Sequence, residues 1–340
     1  MKKTNYVVIL CILLAASVIF TGCSSSKSST PEASAAPEKG SIKINYSTWA
    51  SDGEASYEGM KLFKKIVEEK SEGVIVVNLF PSNQAGKTEE QFEQVSMNTL
   101  QMMSSGNPGS QKLEYLSLPY LMDNNAQFSA VINSEIGKKF NQEIIDEKGV
   151  FNIDILPRTP RIVSCNNKVN VPADFKGMKI RVPERDYYVK TFEAFGANPT
   201  PMDMGEVYSA IQTGVVSGQE NPIETIVSYG FQNICDYLII TNHIVKPAFV
   251  AINNDFYKSL SPEYQQLITE ACKEAREYAE KYMNEQMSNY YKTCTDAGMT
   301  IIEPDLTPFK EATQGVRDEL GVKAWGEDGY KQILEIIANN

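Results

Sequence analysis

The sequence predicts an α/β protein of two domains, and three observations carry that expectation. Short runs that alternate apolar and polar residues take turns with segments whose apolar residues recur at helical spacing. A chain of 340 residues, 42% hydrophobic and 22% charged, is too long for one small core and suits two. One helical pattern opens at Ser261-Pro262 and runs to about Thr295, a length of about 50 Å at 1.5 Å per residue that would span two lobes.

Met1-Lys2-Lys3 forms a positive leader start, followed by an almost uncharged apolar run over 6–20 and the small residues Thr21-Gly22 before Cys23. The run is shorter than the roughly 20 residues of a membrane-spanning helix. Residues 1–22 therefore read as a lipoprotein export signal and Cys23 as the lipidated first residue of the mature chain, although Phe20 stands where that motif usually has Leu. Residues 23–40, rich in Ser, Ala and Pro without apolar periodicity, read as a flexible tether.

The folded part opens with a strand over 42–48, a helix over 57–70 and a strand over 74–80 closed by Pro81, a βαβ start. A helix over 88–98 and a short buried strand over 100–104 lead to the turn Ser105-Gly106-Asn107-Pro108-Gly109, at the kind of strand end where ligands of open α/β sheets collect. A helix over 134–147 ends at Gly149, and strands follow over 150–156 and 161–166. Next come a strand over 178–182 stopped by Pro183, a helix over 187–195, an extended piece over 199–202 and a helix over 205–213. Gly214 and Gly218 bracket a strand, Asn221-Pro222 opens a helix with Asn as its cap, and 248–253 is extended. The long final pattern places Leu267, Ile268, Ala271, Ala275, Ala279 and Met283 on one face.

Composition narrows the function. Asp plus Glu total 43 against 32 for Lys plus Arg, a net charge of -11 that becomes -13 once Lys2 and Lys3 leave with the leader, and this sign repels nucleic acid. His243 is the single histidine, so a His-based zinc site or a Ser-His-Asp triad has only that residue to use. No glycine-rich phosphate loop or dinucleotide fingerprint is present, and no cofactor or metal is expected. Cys165, Cys235, Cys272 and Cys294 read as buried thiols, Cys272 and Cys294 being about 33 Å apart if one helix carries both.

Two constellations carry chemistry. Arg161 opens one strand and Arg181 lies inside another, where a buried guanidinium needs a partner. Two such arginines on adjacent strands would receive an organic carboxylate through paired charge-assisted hydrogen bonds. The competing explanation is an internal ion pair with Glu184, Asp203 or Glu206. The second constellation, Gly218-Gln219-Glu220-Asn221-Pro222, reads as a turn whose side chains bond a polar ligand, with plain capping of the next helix as the simpler account of Asn221.

The segments 176–183 (KGMKIRVP), 198–202 (NPTPM) with 205–208 (GEVY), 211–214 (IQTG) through 218–222 (GQENP), and 241–243 (TNH) together resemble the extracytoplasmic solute receptors of TRAP transporters, the DctP family. The resemblance covers most of 41–335, including Leu118-Pro119-Tyr120 and Phe80-Pro81. It implies a two-lobed periplasmic-binding-protein type II-like fold with hinge strands and one long helix across both lobes. Lobe I would hold 41–158 plus about 247–286, and lobe II 159–246 plus about 287–340. Carried over from the family, Arg181 is the carboxylate clamp, Asn221 its helper and Arg161 a second arginine. Glu184 and Met204 occupy pocket positions that vary among relatives, and Asn167 stands where many have a second basic residue. Trp49 and Asn107 correspond loosely to cleft positions of the first lobe; Trp49 as core, and Tyr208 as helix core, are the plainer alternatives.

The resulting expectation is a lipid-anchored, extracytoplasmic, monomeric receptor that binds a small organic acid, such as a dicarboxylate, sugar acid or keto acid, and delivers it to TRAP permease subunits, without being an enzyme. An anchored hydrolase pairing Glu184 with Glu206 or Glu220 is one alternative, because paired carboxylates can serve as acid and base. A receptor coupled to a sensor kinase or an ABC permease is the other.

Overall fold

The computed structural model describes residues 38–340, so the leader, Cys23 and the tether up to Pro37 lie outside the described residues. The chain runs β1 (Ile42–Thr48), α1 (Ala55–Lys70), β2 (Ile75–Phe80), α2 (Thr88–Ser96), β3 (Met102–Ser105), α3 (Gln111–Glu114), α4 (Asn125–Asn133), α5 (Glu135–Lys148), β4 (Val150–Leu156) and β5 (Arg161–Cys165). It continues through β6 (Lys179–Val182), α6 (Asp186–Ala194), β7 (Asn198–Pro201), α7 (Val207–Gln212), β8 (Gly218–Asn221), α8 (Ile223–Ser228), β9 (Tyr237–Ile244) and β10 (Ala248–Asn253). It ends with α9 (Asn254–Ser259), α10 (Pro262–Asp296), β11 (Thr300–Ile302), α11 (Thr307–Ala312) and α12 (Gln314–Ala338), the last interrupted at Gly326, whose φ of 70° breaks the helical run.

Two mixed sheets result, ordered β2-β1-β3-β10-β4 and β11-β9-β5-β8-β6-β7, so the architecture is α/β as the alternation predicts. The chain passes from one sheet to the other three times, at β4–β5, at β9–β10 and, through α9 and α10, at β10–β11. Local chemistry sets several boundaries. Asn124 and Ser134 cap α4 and α5 by accepting from Gln127 and Gly137 N–H, and Ser261 caps α10 at Tyr264 N–H with Pro262 in the first turn.

Helix α10 buries its apolar stripe from Leu267 to Met283 with Phe63 of α1 and Ile44 of β1, while Tyr290 and Cys294 further along pack with Ile226 and Phe231. One helix thus serves two cores. A third cluster joins Phe128 and Phe249 to Phe175, Phe192 and Phe309, with α12 packed on it through Leu320 and Ile333. The four cysteines are free and buried. Among the described residues no helix is long and apolar enough to cross a membrane.

One stretch departs from expectation. The strand lies after Gly218 rather than before it: the chain turns at Gly214, with φ of 72°, and Gly218 to Asn221 form β8, fully buried between β5 and β6. Gly218 admits this register because any Cβ there would lie 2.4 Å from the Cys165 Cβ on β5. What reads as a polar turn is a central strand, and Asn221 does not cap α8, whose N-cap is Pro222.

Candidate functional site

A cavity of about 480 Å³ is lined by the end of β1 (Trp49), the loop after β3 (Asn107), the start of α2 (Lys87, Glu89), single residues of β5, β6 and β8, and the loops after β6, β7 and β9. Its volume is in the range of clefts for small ligands. Arg161, Arg181, Asn221, Glu184, Met204, Trp49 and Asn107 all line it. Tyr208 does not: its half-buried ring on α7 stacks on Phe231 at 6.4 Å, so the ligand-contact reading is corrected in favour of the plainer helix-core one.

The two arginines have different surroundings. Arg161 donates from Nε to Glu220 Oε2 at 2.5 Å and from Nη2 to Glu220 Oε1 at 2.7 Å, and Nη2 also reaches Asn221 Oδ1 at 2.9 Å. His243 Nε2 sits 3.1 Å from the same Glu220 Oε2, and its Nδ1 is 2.8 Å from Thr241 Oγ1. Burial pulls the His243 imidazole below its ordinary range against the pull of Glu220, so it is neutral, donating from Nε2 and accepting the Thr241 hydroxyl at Nδ1. Burial pushes the Glu220 carboxyl up, but Arg161 and His243 outweigh it and hold the carboxyl low and ionised. Arg161 thus follows the ion-pair explanation, with Glu220 as a partner 59 positions away in sequence.

Arg181 has no such partner. Its Nε and Nη2 donate to the Met202 carbonyl at 2.9 and 2.7 Å, and Nη1 meets only Met204 Sδ at 3.7 Å. Among the described residues no carboxylate lies within 4.0 Å of its guanidinium, and Asp203 pairs instead with Lys87. Burial pushes Arg181 down to about 10, the more distant Glu220 and Asp203 offsetting only part of the desolvation. Asn221 stands between the two, accepting from Arg161 and donating to Gln219 Oε1 at 2.6 Å.

Sequence reasoning missed several lining residues. Arg158 lies over the Trp49 ring at 4.9 Å and donates to Thr225 Oγ1 at 2.7 Å, and its buried Nε has no hydrogen-bond partner among the described residues. Tyr188 presents its ring to the Arg161 guanidinium at 5.0 Å. Lys246 donates to the Tyr187 hydroxyl at 2.6 Å, and burial pushes it down to about 8 despite Glu114 at 3.5 Å. Arg158 and Lys246 lie in the two short sheet-to-sheet connections, β4–β5 and β9–β10. Each is a lone cation beside proline, in Pro157-Arg158-Thr159-Pro160 and Val245-Lys246-Pro247, which was the available signal. Near the cavity edge Lys87 pairs with Asp203, and Arg185 with both Glu89 and Glu114, so residues before β4 are bridged to residues after β5.

Glu220 is wholly buried and occupied by Arg161 and His243, so it is not free to act with Glu184 as an acid–base pair. Among the described residues no group of His, Cys, Asp and Glu could hold a metal ion.

The family model for DctP, bacterial extracellular solute-binding protein family 7, matches residues 46–323. A sialic acid-binding periplasmic protein, SiaP, from Vibrio cholerae is 30% identical over 274 residues, covering 79% of this chain and 85% of the relative. The C4-dicarboxylate-binding periplasmic protein DctP of Rhodobacter capsulatus is 25% identical, covering 84% of this chain and 88% of its own. Among solved structures, a TRAP periplasmic solute-binding protein of Actinobacillus succinogenes with bound L-galactonate superimposes with a TM-score of 0.81 at 26% identity, covering 88% of this chain and 100% of that one.

Proposed function

From the premise that this chain belongs to the DctP family of bacterial extracellular solute-binding proteins, we propose that it captures a small organic acid through Arg181 and delivers it to a TRAP membrane permease. A member of this family binds its solute without transforming it; the chain is a receptor, not an enzyme. The single observation that carries the reading is Arg181, a buried guanidinium in a ligand-sized cavity with no carboxylate of the protein against it. The solutes named for the relatives support an acid: sialic acid, a C4-dicarboxylate and L-galactonate.

The ligand's carboxylate would take the planar guanidinium face, and Asn221 would orient it. Micromolar capture needs about 8 kcal/mol, which a solvated ion pair of about 0 to 1 kcal/mol does not reach. Burial of the ligand between the two sheets supplies the difference, and the ion pairs from Lys87 and Arg185 are placed to favour the closed cleft. In this reading 41–158 with 247–286 forms one lobe and 159–246 with 287–340 the other.

An extracytoplasmic receptor is exported, and the sequence supports a leader ending before a lipidated Cys23 and a tether to residue 40. The test is a thermal-shift screen of the purified protein against organic acids. A ligand at 100 times its Kd adds about 2.7 kcal/mol and raises the melting temperature by several degrees. A carboxylate hit recovered chemically unchanged supports the receptor; shifts only with uncharged solutes would sink it.

A further inference from the structure

The charges lining the cavity can be matched one against another, and a single cation is left over. Arg161 is matched by Glu220, Lys87 by Asp203, and Arg185 with Lys246 by Glu89 with Glu114. Arg158 has two carboxylates around it: Glu224 Oε1 at 3.9 Å, and Glu54, which accepts from the same Thr225 hydroxyl that Arg158 bonds. Only Arg181, among the described cations of the lining, stands without a carboxylate. On the negative side Glu184 and Glu206 also line the cavity, are exposed, and take part in no ion pair among the described residues.

We propose that the cavity selects a singly charged acid whose remaining polar groups are neutral, such as a hydroxylated monocarboxylate, and discriminates against dicarboxylates. The inference rests on the receptor reading and on Arg181 as its clamp. One carboxylate satisfies the one unmatched guanidinium. A second would be buried without a fixed counter-charge and would meet the field of Glu184 and Glu206, and an unpaired buried ion is disfavoured far more than a hydroxyl that finds a partner. The rest of the lining suits hydroxyl or carbonyl oxygens: Asn107, Thr88 and Asn83 offer neutral polar side chains, and Arg158 bonds the protein through Nη2 alone.

The experiment uses pairs of acids that share a carbon chain and differ only at one end: D-gluconate with D-glucarate, L-galactonate with galactarate, and glycerate with tartronate. Each is titrated calorimetrically into the intact protein and into Arg181→Ala. The expected result is that the tightest binder is a monoacid and that its diacid partner is weaker by about 100-fold. Replacing Glu184 and Glu206 together by Gln should narrow that gap, because it removes the repulsion and leaves the clamp. A diacid that binds as tightly as its partner and is lost in Arg181→Ala would overturn the charge selection while leaving the receptor standing. If tight binding of either acid survived in Arg181→Ala, the clamp and the inference built on it would both fall.

Discussion

The β5 and β6 sides of the cavity each hold one arginine, Arg161 and Arg181, and both are 4% exposed. Arg161 is enclosed by a carboxylate, an amide and an aromatic ring, with a neutral histidine behind the carboxylate. Arg181 has only a carbonyl and a thioether. Equal burial therefore does not mean equal role: a buried cation whose charge is already met belongs to the scaffold, and one whose charge is unmet is prepared for a ligand. The same contrast separates stability from affinity, and variants can be chosen to test each.

Arg161→Ala should have the largest effect on stability. It leaves Glu220 buried without its cation, at a cost of about 3 to 5 kcal/mol measured by urea unfolding. A loss below about 1 kcal/mol would break the comparison, since it would make Arg161 as dispensable to the fold as Arg181. Arg181→Lys should lose about 2 kcal/mol or more of binding free energy in calorimetry, because an ammonium cannot present the planar fork.

Acid should act through the β5 side. His243 is held neutral in the fold but is free to protonate when unfolded, so stability falls as the pH drops below about 6.5, by at most about 1.4 kcal/mol per pH unit for one proton. Glu220, held below its ordinary value, adds a further loss as the pH falls below 4.5 towards its folded value. Urea unfolding at stepped pH should show this decline equally in Arg181→Ala, and a shallower lower limb in Glu220→Gln. Asn221→Ala comes next, with about tenfold weaker binding and about 1 kcal/mol less stability, since its amide accepts from Arg161 and meets the same Met204 Sδ as Arg181. Lys87→Ala should have the smallest effect, a slight weakening of ligand affinity that added salt removes, as for any exposed ion pair.

Much of this was legible in the chain itself. Alternation opening at Ser41 placed β1 and β2, strand-like and extended runs placed β4 and β10, and the Ser261-Pro262 start with its apolar stripe placed α10. Arg161 and Arg181 stood out because a guanidinium interrupts an otherwise apolar strand, and Asn221 because it sits in the run of polar side chains Gln219-Glu220-Asn221. What escaped depends on distant partners. Gln219-Glu220-Asn221 looks like a turn because every side chain is polar, and becomes a central strand only because Arg161 and Ser164 of β5 satisfy those groups. Local reasoning sought the partner of a buried arginine among Glu184, Asp203 and Glu206, whereas the one that pairs, Glu220, reaches Arg161 across a strand pair formed by tertiary folding. Tyr208, an aromatic beside the binding motif, packs against Phe231 as the plainer helix-core reading has it, and not against the cavity.

The central claim is that the unmatched guanidinium on β6 is the carboxylate clamp. The most direct test is to measure Arg181→Ala twice, by calorimetric titration with the acid that shifts the wild-type melt most and by urea unfolding without ligand. The expected outcome is binding weakened by at least about 100-fold alongside an unfolding free energy within about 1 kcal/mol of wild type. An unchanged titration, or a variant that binds normally once folded but loses several kcal/mol of stability, would contradict it and assign Arg181 to the scaffold.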